Sequence, residues 1–204
     1  MDYIVTKDEL RSHYRPVMDA AVRKELRSLD GHSRRFIEKS PFVLIGSSDG
    51  NGNADVTPKG DRPGFVAILD EVTLAIPDRP GNNRLDTLEN IVAHPAVGLL
   101  FLIPGMDETL RINGEARVTA DLALRERLAV DGKLPATVIV IKVRAVYMHC
   151  AKAFMRSRLW KPETWEDRST MPTLGQMLKD QLALPESADA TDRWLDDAYR
   201  QSMW

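Results

Sequence analysis

The feature that most limits how this 204-residue chain can fold is a succession of short apolar runs between Pro41 and His149, bounded by glycine, proline, asparagine and aspartate. Runs this short suit strands, and "DGNG" at 49–52 is a hairpin signal because glycine and asparagine accept the positive φ of tight turns. "PFVLIGSS" at 41–48 reads as the first strand, and others are expected at 53–58, 64–69, 71–76, 97–103, 109–118 and 136–148. Many short strands with few long helices among them predict a mainly β fold, an antiparallel barrel that is closed or nearly closed. Helices are expected over 84–93 and 121–130.

The flanks read differently. Thr6 with Glu9 has the form of a capping box, placing a short helix that ends near His13. Pro16 fits only near a helix start, so a second helix is expected from Pro16 to about Leu29, stopped by Asp30-Gly31. Met18, Ala21, Val22 and Leu29 would share its apolar side. A third helix carries Phe36 and Ile37. After the barrel, Ala151, Phe154, Arg158 and Leu159 have helical spacing up to Pro162, and 173–183 and 191–201 read as further helices. The expected organisation is one domain: a helical extension (1–40), a barrel (41–150) and a C-terminal helical segment (151–204).

Charge narrows the function classes. With 28 Lys and Arg against 30 Asp and Glu the net charge is −2, so no overall basic field draws the chain to nucleic acid or anionic lipid. The lone Cys150 excludes an intramolecular disulfide and a thiolate zinc site. No run approaches the roughly 20 apolar residues of a membrane span, and the first residues lack the apolar core of a secretion signal, so a cytoplasmic protein without metal is expected.

Three stretches could carry chemistry. In "ADVTPKGDRPGF" a strand ends in Thr57, Pro58 and Lys59, a solvated strand end or a binding one. In "AIPDRPGNNRLDTLENIVAHP" an apolar strand runs into a stiff polar turn holding Arg79, Asn82, Asn83 and Arg84. Guanidinium groups match phosphate oxygens, and a helix starting near Arg84 would add free amides and a favourable dipole. A surface loop is the alternative. In "ETLRINGEARVT" the alternation sets Thr109, Arg111 and Asn113 opposite Leu110 and Ile112, toward water or a ligand.

Taken in order, the strand ending in lysine, "IPDRPGNNRLDTLENI", "NIVAHP", "AVGLLFLIP", "LRINGEARV" and "HCAKAFMRSRLW" resemble the pyridoxamine 5'-phosphate oxidase-like family of FMN-binding split β-barrels, and within it a subgroup of FMN-dependent proteins of unassigned substrate. The resemblance spans roughly residues 35 to 165. It implies a homodimer with FMN at the subunit interface, and an oxidoreductase acting on a small molecule. By that resemblance Val56, Thr57, Pro58 and Lys59 line the flavin and its ribityl chain. Ile76, Pro77, Asp78 and Arg79 follow on the next strand and turn, with Asn82, Asn83 and Arg84 around the phosphate. Thr109 stands near a position that reads the flavin edge, with Arg111 beside it.

Two departures matter. Ala54 stands where the family's oxidases carry an arginine, which would shift the phosphate grip to Arg79 and Arg84, and the oxidases' C-terminal Arg-Leu-His pattern is absent, which argues against pyridoxamine phosphate as substrate. In "HCAKAFMRSRLW", His149, Lys152 and Arg156 would share one helical face, either solvated or reaching the flavin cleft. His149 as a general acid and Cys150 as a reactive thiol are weaker readings. No GxGxxG fingerprint is present, so a tightly held dinucleotide is not expected, while transient NAD(P)H stays open. A different class, a flavin- or haem-binding carrier or sensor without turnover, is the competing reading, with His149 the first axial-ligand candidate.

Overall fold

The computed structural model describes residues 1–203; Trp204, the end of the expected C-terminal segment, lies outside the described residues. Seven strands form one sheet: β1 (Phe42–Ser48), β2 (Ala54–Gly60), β3 (Ala67–Ile68), β4 (Thr73–Asp78), β5 (Ala96–Leu102), β6 (Thr109–Thr119) and β7 (Thr137–His149). Their order is β2-β1-β5-β6-β7-β4-β3, every pairing antiparallel. The sheet curls without closing, so β2 and β3 remain as separate edges. This is the split form of the expected barrel.

The curl is driven by burial. Val43 and Ile45 from β1 share one core with Leu74 and Ile76 from β4, near the other end of the sheet, and with Leu99, Phe101, Leu110, Ile112, Ile139 and Ile141 between them. Each such side chain contributes about 1.5–3 kcal/mol when removed from water. Helix α3 (Gly31–Lys39) adds Phe36 and Ile37, and α4 (Asp86–Ala93) adds Ile91. Where β6 crosses β7 the register slips: Asn113 opposes Ala145 but Gly114 opposes Val143, a bulge that bends the pair. Gly114 is required there, because a Cβ would stand 2.5 Å from the Lys142 carbonyl oxygen.

The expected hairpin forms at 49–52. The Asp49 carboxylate accepts from the Asn53 side chain and from the amides of Asn51 and Asn53, and those hydrogen bonds, the Asn53 side chain first, hold it below its ordinary pKa. Two expectations shrink. Only Ala67 and Ile68 pair within 64–69, because Gly64 (φ 84°) and the Phe65 amide bonded to the Arg62 carbonyl keep the preceding residues in a turn. The helix expected from Pro16 to Leu29 contracts to α2 (Asp19–Arg23), preceded by α1 (Lys7–Ser12). The chain after it is used otherwise: Leu26 and Val146 exchange two 2.9 Å backbone hydrogen bonds, capping the part of β7 that runs beyond β4. A tertiary pairing thus overrides a helical pattern.

Helix α5 (Leu122–Arg127) lies between β6 and β7, and after β7 come α6 (Lys152–Ser157), two 3-10 turns at Pro162–Thr164 and Arg168–Thr170, α7 (Leu174–Leu182) and α8 (Ala188–Ser202). Among the described residues no helix is long and apolar enough to cross a membrane.

Candidate functional site

Directly opposed residues of an antiparallel pair point the same way, so Thr57 and Lys59, opposite Ile45 and Val43, face the inner side of the curl. Helix α4 covers that end. It is tied down by a hydroxyl–hydroxyl hydrogen bond between Thr57 and Thr87, and by the Asn90 amide, which donates to Ser47 Oγ at 3.2 Å and Asp55 Oδ2 at 2.7 Å. Thr87, Asn90 and Ile91 recur on one helical face, so two polar ties flank one apolar contact.

Between β4 and α4 the chain makes the stiff turn. Asn83 and Leu85 take left-handed conformations (φ 58° and 62°), and the Arg84 amide donates to Asn82 Oδ1 at 3.1 Å. The helix therefore begins at Asp86, two residues after Arg84, and carries Asp86 and Glu89 in its first turn. These acids lie where the dipole favours negative charge.

The turn, β2, the end of β4 and the start of α4 enclose a cavity of about 450 Å³. Its lining brings together Thr57, Lys59, Asp78, Arg79, Asn82, Asn83 and Arg84, all singled out in the sequence, and adds Asp86, Thr87, Leu88, Leu134 and Ala136. Each cation there has a carboxylate. Lys59 Nζ lies 2.8 Å from Asp78, a half-buried pair. Arg79 Nε lies 2.9 Å from Asp61, whose side chain is only 2% exposed, and Arg79 also donates to the Leu128 carbonyl at 3.0 Å. Arg84 Nε pairs with Asp86 at 2.8 Å, with 74% of the arginine side chain exposed. Arg79 is thus a brace between the turn and the α5 loop, whereas Arg84 is free to swing.

The remaining expected residues lie elsewhere. Val56 points to the outer face, where with Leu44, Gly46, Gly98, Leu99, Leu100, Arg111 and His149 it lines a groove of about 340 Å³. Gly46 and Gly98 oppose each other there, and a Cβ on either would meet nothing closer than 3.7 Å, so internal packing does not demand these glycines. Arg111 lies over the Tyr147 ring, 5.8 Å from its centroid, with Lys24 Nζ 5.7 Å from the same centroid. Pro58 is exposed; Ile76, Pro77 and Thr109 are buried. His149 ends β7 and α6 begins at Lys152, so His149, Lys152 and Arg156 do not form one helical face as expected. Lys152, Arg156 and Cys150 are exposed. Phe154 stacks on Trp160 at 5.9 Å, and Trp160 Nε1 donates to the Met106 carbonyl at 2.8 Å.

The sequence reading did not pick out the counter-ions Asp61 and Asp86, nor Thr87 and Asn90. The acids stand two residues after Lys59 and Arg84, and the spacing of Thr87 and Asn90 on an amphipathic helix is the available signal.

The family described as pyridoxamine 5'-phosphate oxidase matches residues 29–150, more than half of the chain. Among solved structures, HupZ of Group A Streptococcus is 15% identical, with 59% of this chain and 93% of that one covered and a TM-score of 0.50. An FMN-binding protein from Syntrophomonas wolfei subsp. wolfei is 10% identical, with 70% and 96% covered and a TM-score of 0.44. A Clostridium acetobutylicum protein related to general stress protein 26 is 16% identical, with 58% and 87% covered and a TM-score of 0.40. No curated protein matches the sequence. With the matched span coinciding with the curled sheet and its α4 cover, the chain belongs to the pyridoxamine 5'-phosphate oxidase family of split β-barrels.

Proposed function

We propose that the cavity between β2, β4 and α4 holds the phosphate end of FMN, and that the protein is a homodimeric FMN-dependent oxidoreductase acting on a small molecule. The observation that carries the reading is the convergence of Thr57, Lys59, Asn82, Asn83 and Arg84 from separate segments onto one 450 Å³ cavity.

The donor set fits a phosphate ester. Two hydroxyls, two side-chain amides, an ammonium and a guanidinium offer charge-assisted and neutral hydrogen bonds in one place. The carboxylates Asp78 and Asp86 oppose an anion, so the cations must exchange partners. For Arg84 that exchange is cheap, because an exposed pair of this kind is worth about 0–1 kcal/mol. Lys59 keeps a less exposed partner and would share itself between Asp78 and the ligand. Arg79 stays with Asp61 and fixes the turn's position.

When bound, FMN supplies hydride acceptance and donation at its N5, chemistry no side chain here provides. The chain's own work is to anchor, orient and limit water. Thr57 and Thr87 face the cavity as a bonded pair, while Ile76 and Pro77 are buried and serve through the backbone they hold in place. The outer groove with Val56, Arg111 and His149, floored by Gly46 and Gly98, suits the close approach of a second copy, and Lys152, Arg156 and Thr109 belong to that side in this reading. No protein nucleophile is needed, so a Cys150→Ser variant retains flavin reduction.

The test is the visible spectrum of the purified protein, followed by anaerobic reduction with NADH or NADPH and reoxidation by oxygen or a quinone. A flavin spectrum with one FMN per chain and turnover supports the reading. A flavin that binds but never cycles would contradict the enzyme assignment, and a haem spectrum would contradict the cofactor.

A further inference from the structure

The C-terminal pair α7–α8 lies outside the span the family match covers. Its two helices hold each other closely: the Gly175 amide donates to Asp192 Oδ1 at 2.7 Å, and a Cβ on Gly175 would stand 2.6 Å from Asp192 and from the Ala188 carbonyl. Only Gly175 and Thr191 of these helices are buried, while Leu174 (42%), Leu182 (63%) and Trp194 (65%) are exposed. An isolated pair of helices buries too little apolar surface to persist by itself. Residues 171–203 contain six acidic and three basic residues, a net charge of −3.

The complementary surface is on α3. A groove of about 620 Å³ has an apolar floor of Phe36, Ile103, Met106 and Met148 and a rim of His32, Arg35 and Lys39, with no acid in its lining. His32 has Asp30 nearby, but among the described residues Arg35 and Lys39 have no ion-pair or hydrogen-bond partner. This contrasts with the FMN-proposed cavity, where every cation is matched.

We infer that the α7–α8 hairpin of one chain docks in the α3 groove of a second copy, with Trp194 as the apolar anchor and Asp197, a turn further along the same face of α8, toward Arg35 and Lys39. A buried aromatic anchor inside a charged rim is the usual anatomy of an energetic contact. Asp197 gives up only a loose, exposed contact with Arg200 at 3.7 Å to do so. A second copy is the occupant because the groove and the hairpin are complementary in sign, and each lacks a partner within its own chain. The exchange is reciprocal in a two-fold pair, so two equivalent contacts form. This inference does not rest on the flavin reading.

Hydrogen exchange of residues 174–202 in the full-length protein, followed across protein concentration, tests it. Exchange should slow by about tenfold or more as copies associate. Arg35→Glu with Lys39→Glu should abolish that protection, as should Asp197→Lys, and combining the three substitutions should restore it. FMN content measured on the same samples keeps the two readings apart, since these substitutions leave it unchanged. Protection that persists at dilutions where sedimentation shows a monomer would assign the groove to the hairpin of the same chain and overturn the proposal. So would protection that survives Arg35→Glu with Lys39→Glu, or no protection at any concentration.

Discussion

The barrel and the two terminal arms use similar residues to opposite effect. Between Leu29 and Val146 apolar side chains converge on a dry core, with Val43, Ile45, Phe101, Leu110 and Ile112 essentially inaccessible. In the arms, Tyr14, Trp165 and Trp194 keep 60% or more of their surface in solvent. Three of the arm helices nonetheless carry their own start signal: Thr6, Thr173 and Ser187 each accept from the amide three residues on, as good N-caps do. Helix formation can therefore be encoded locally while burial is left to another surface. The barrel strands bury their apolar side chains among themselves; the arms leave theirs exposed.

The sharpest way to break this contrast is to cut into the barrel. Phe101→Ala should cost about 3–5 kcal/mol in denaturant unfolding, the usual range for an aromatic lost from a closed core. A loss below about 1 kcal/mol would mean the sheet is looser than its burial implies. Next, Arg79→Met leaves the Asp61 carboxylate buried without its partner and should lower stability by about 3 kcal/mol, with or without added FMN. Arg84→Ala, from the exposed pair, should leave apoprotein stability within about 0.5 kcal/mol. That difference separates a bracing cation from a ligand-facing one in the same turn.

Asp30→Ala sits at the junction of arm and barrel. Asp30 caps α3, and hydrogen bonds from Ser33, its hydroxyl first and its amide second, hold the carboxyl below the ordinary range. The variant should lose about 1 kcal/mol at neutral pH. Because the folded pKa is depressed, the cap's contribution is present above the unfolded pKa and fades as pH falls through the folded one. The gap between the variant and the parent should therefore close on acidification below the usual carboxylate range, as read by thermal unfolding. The smallest effect belongs to the arm itself: Trp194→Ala, in dilute protein, should change stability by less than about 0.5 kcal/mol.

Legibility followed the distance over which information acts. The strands and the 49–52 hairpin are readable because alternation and turn chemistry are local, and the Thr6 cap of α1 is readable for the same reason, whereas α8 starts at Ala188 behind the Ser187 cap, three residues before the expected 191. The second helix was misjudged in length because Leu26 is claimed by Val146, a pairing 120 residues away in sequence. At the site, the resemblance names segments that the structure gathers around one cavity, while the pleat sends Val56 and Thr57, named together, to opposite faces. Asp61 is hidden in the sequence because its tie to Arg79 spans 18 residues and both β3 and β4.

The central claim is that the donors gathered around the 80–85 turn hold a phosphate. The most direct test compares FMN with riboflavin in equilibrium binding to the parent protein and to Arg84→Ala. The account predicts that FMN binds at least about tenfold tighter than riboflavin, and that Arg84→Ala erases about 1.5–3 kcal/mol of FMN affinity while leaving riboflavin unchanged. Equal affinity for the two flavins, or an FMN preference that survives the substitution, would contradict it.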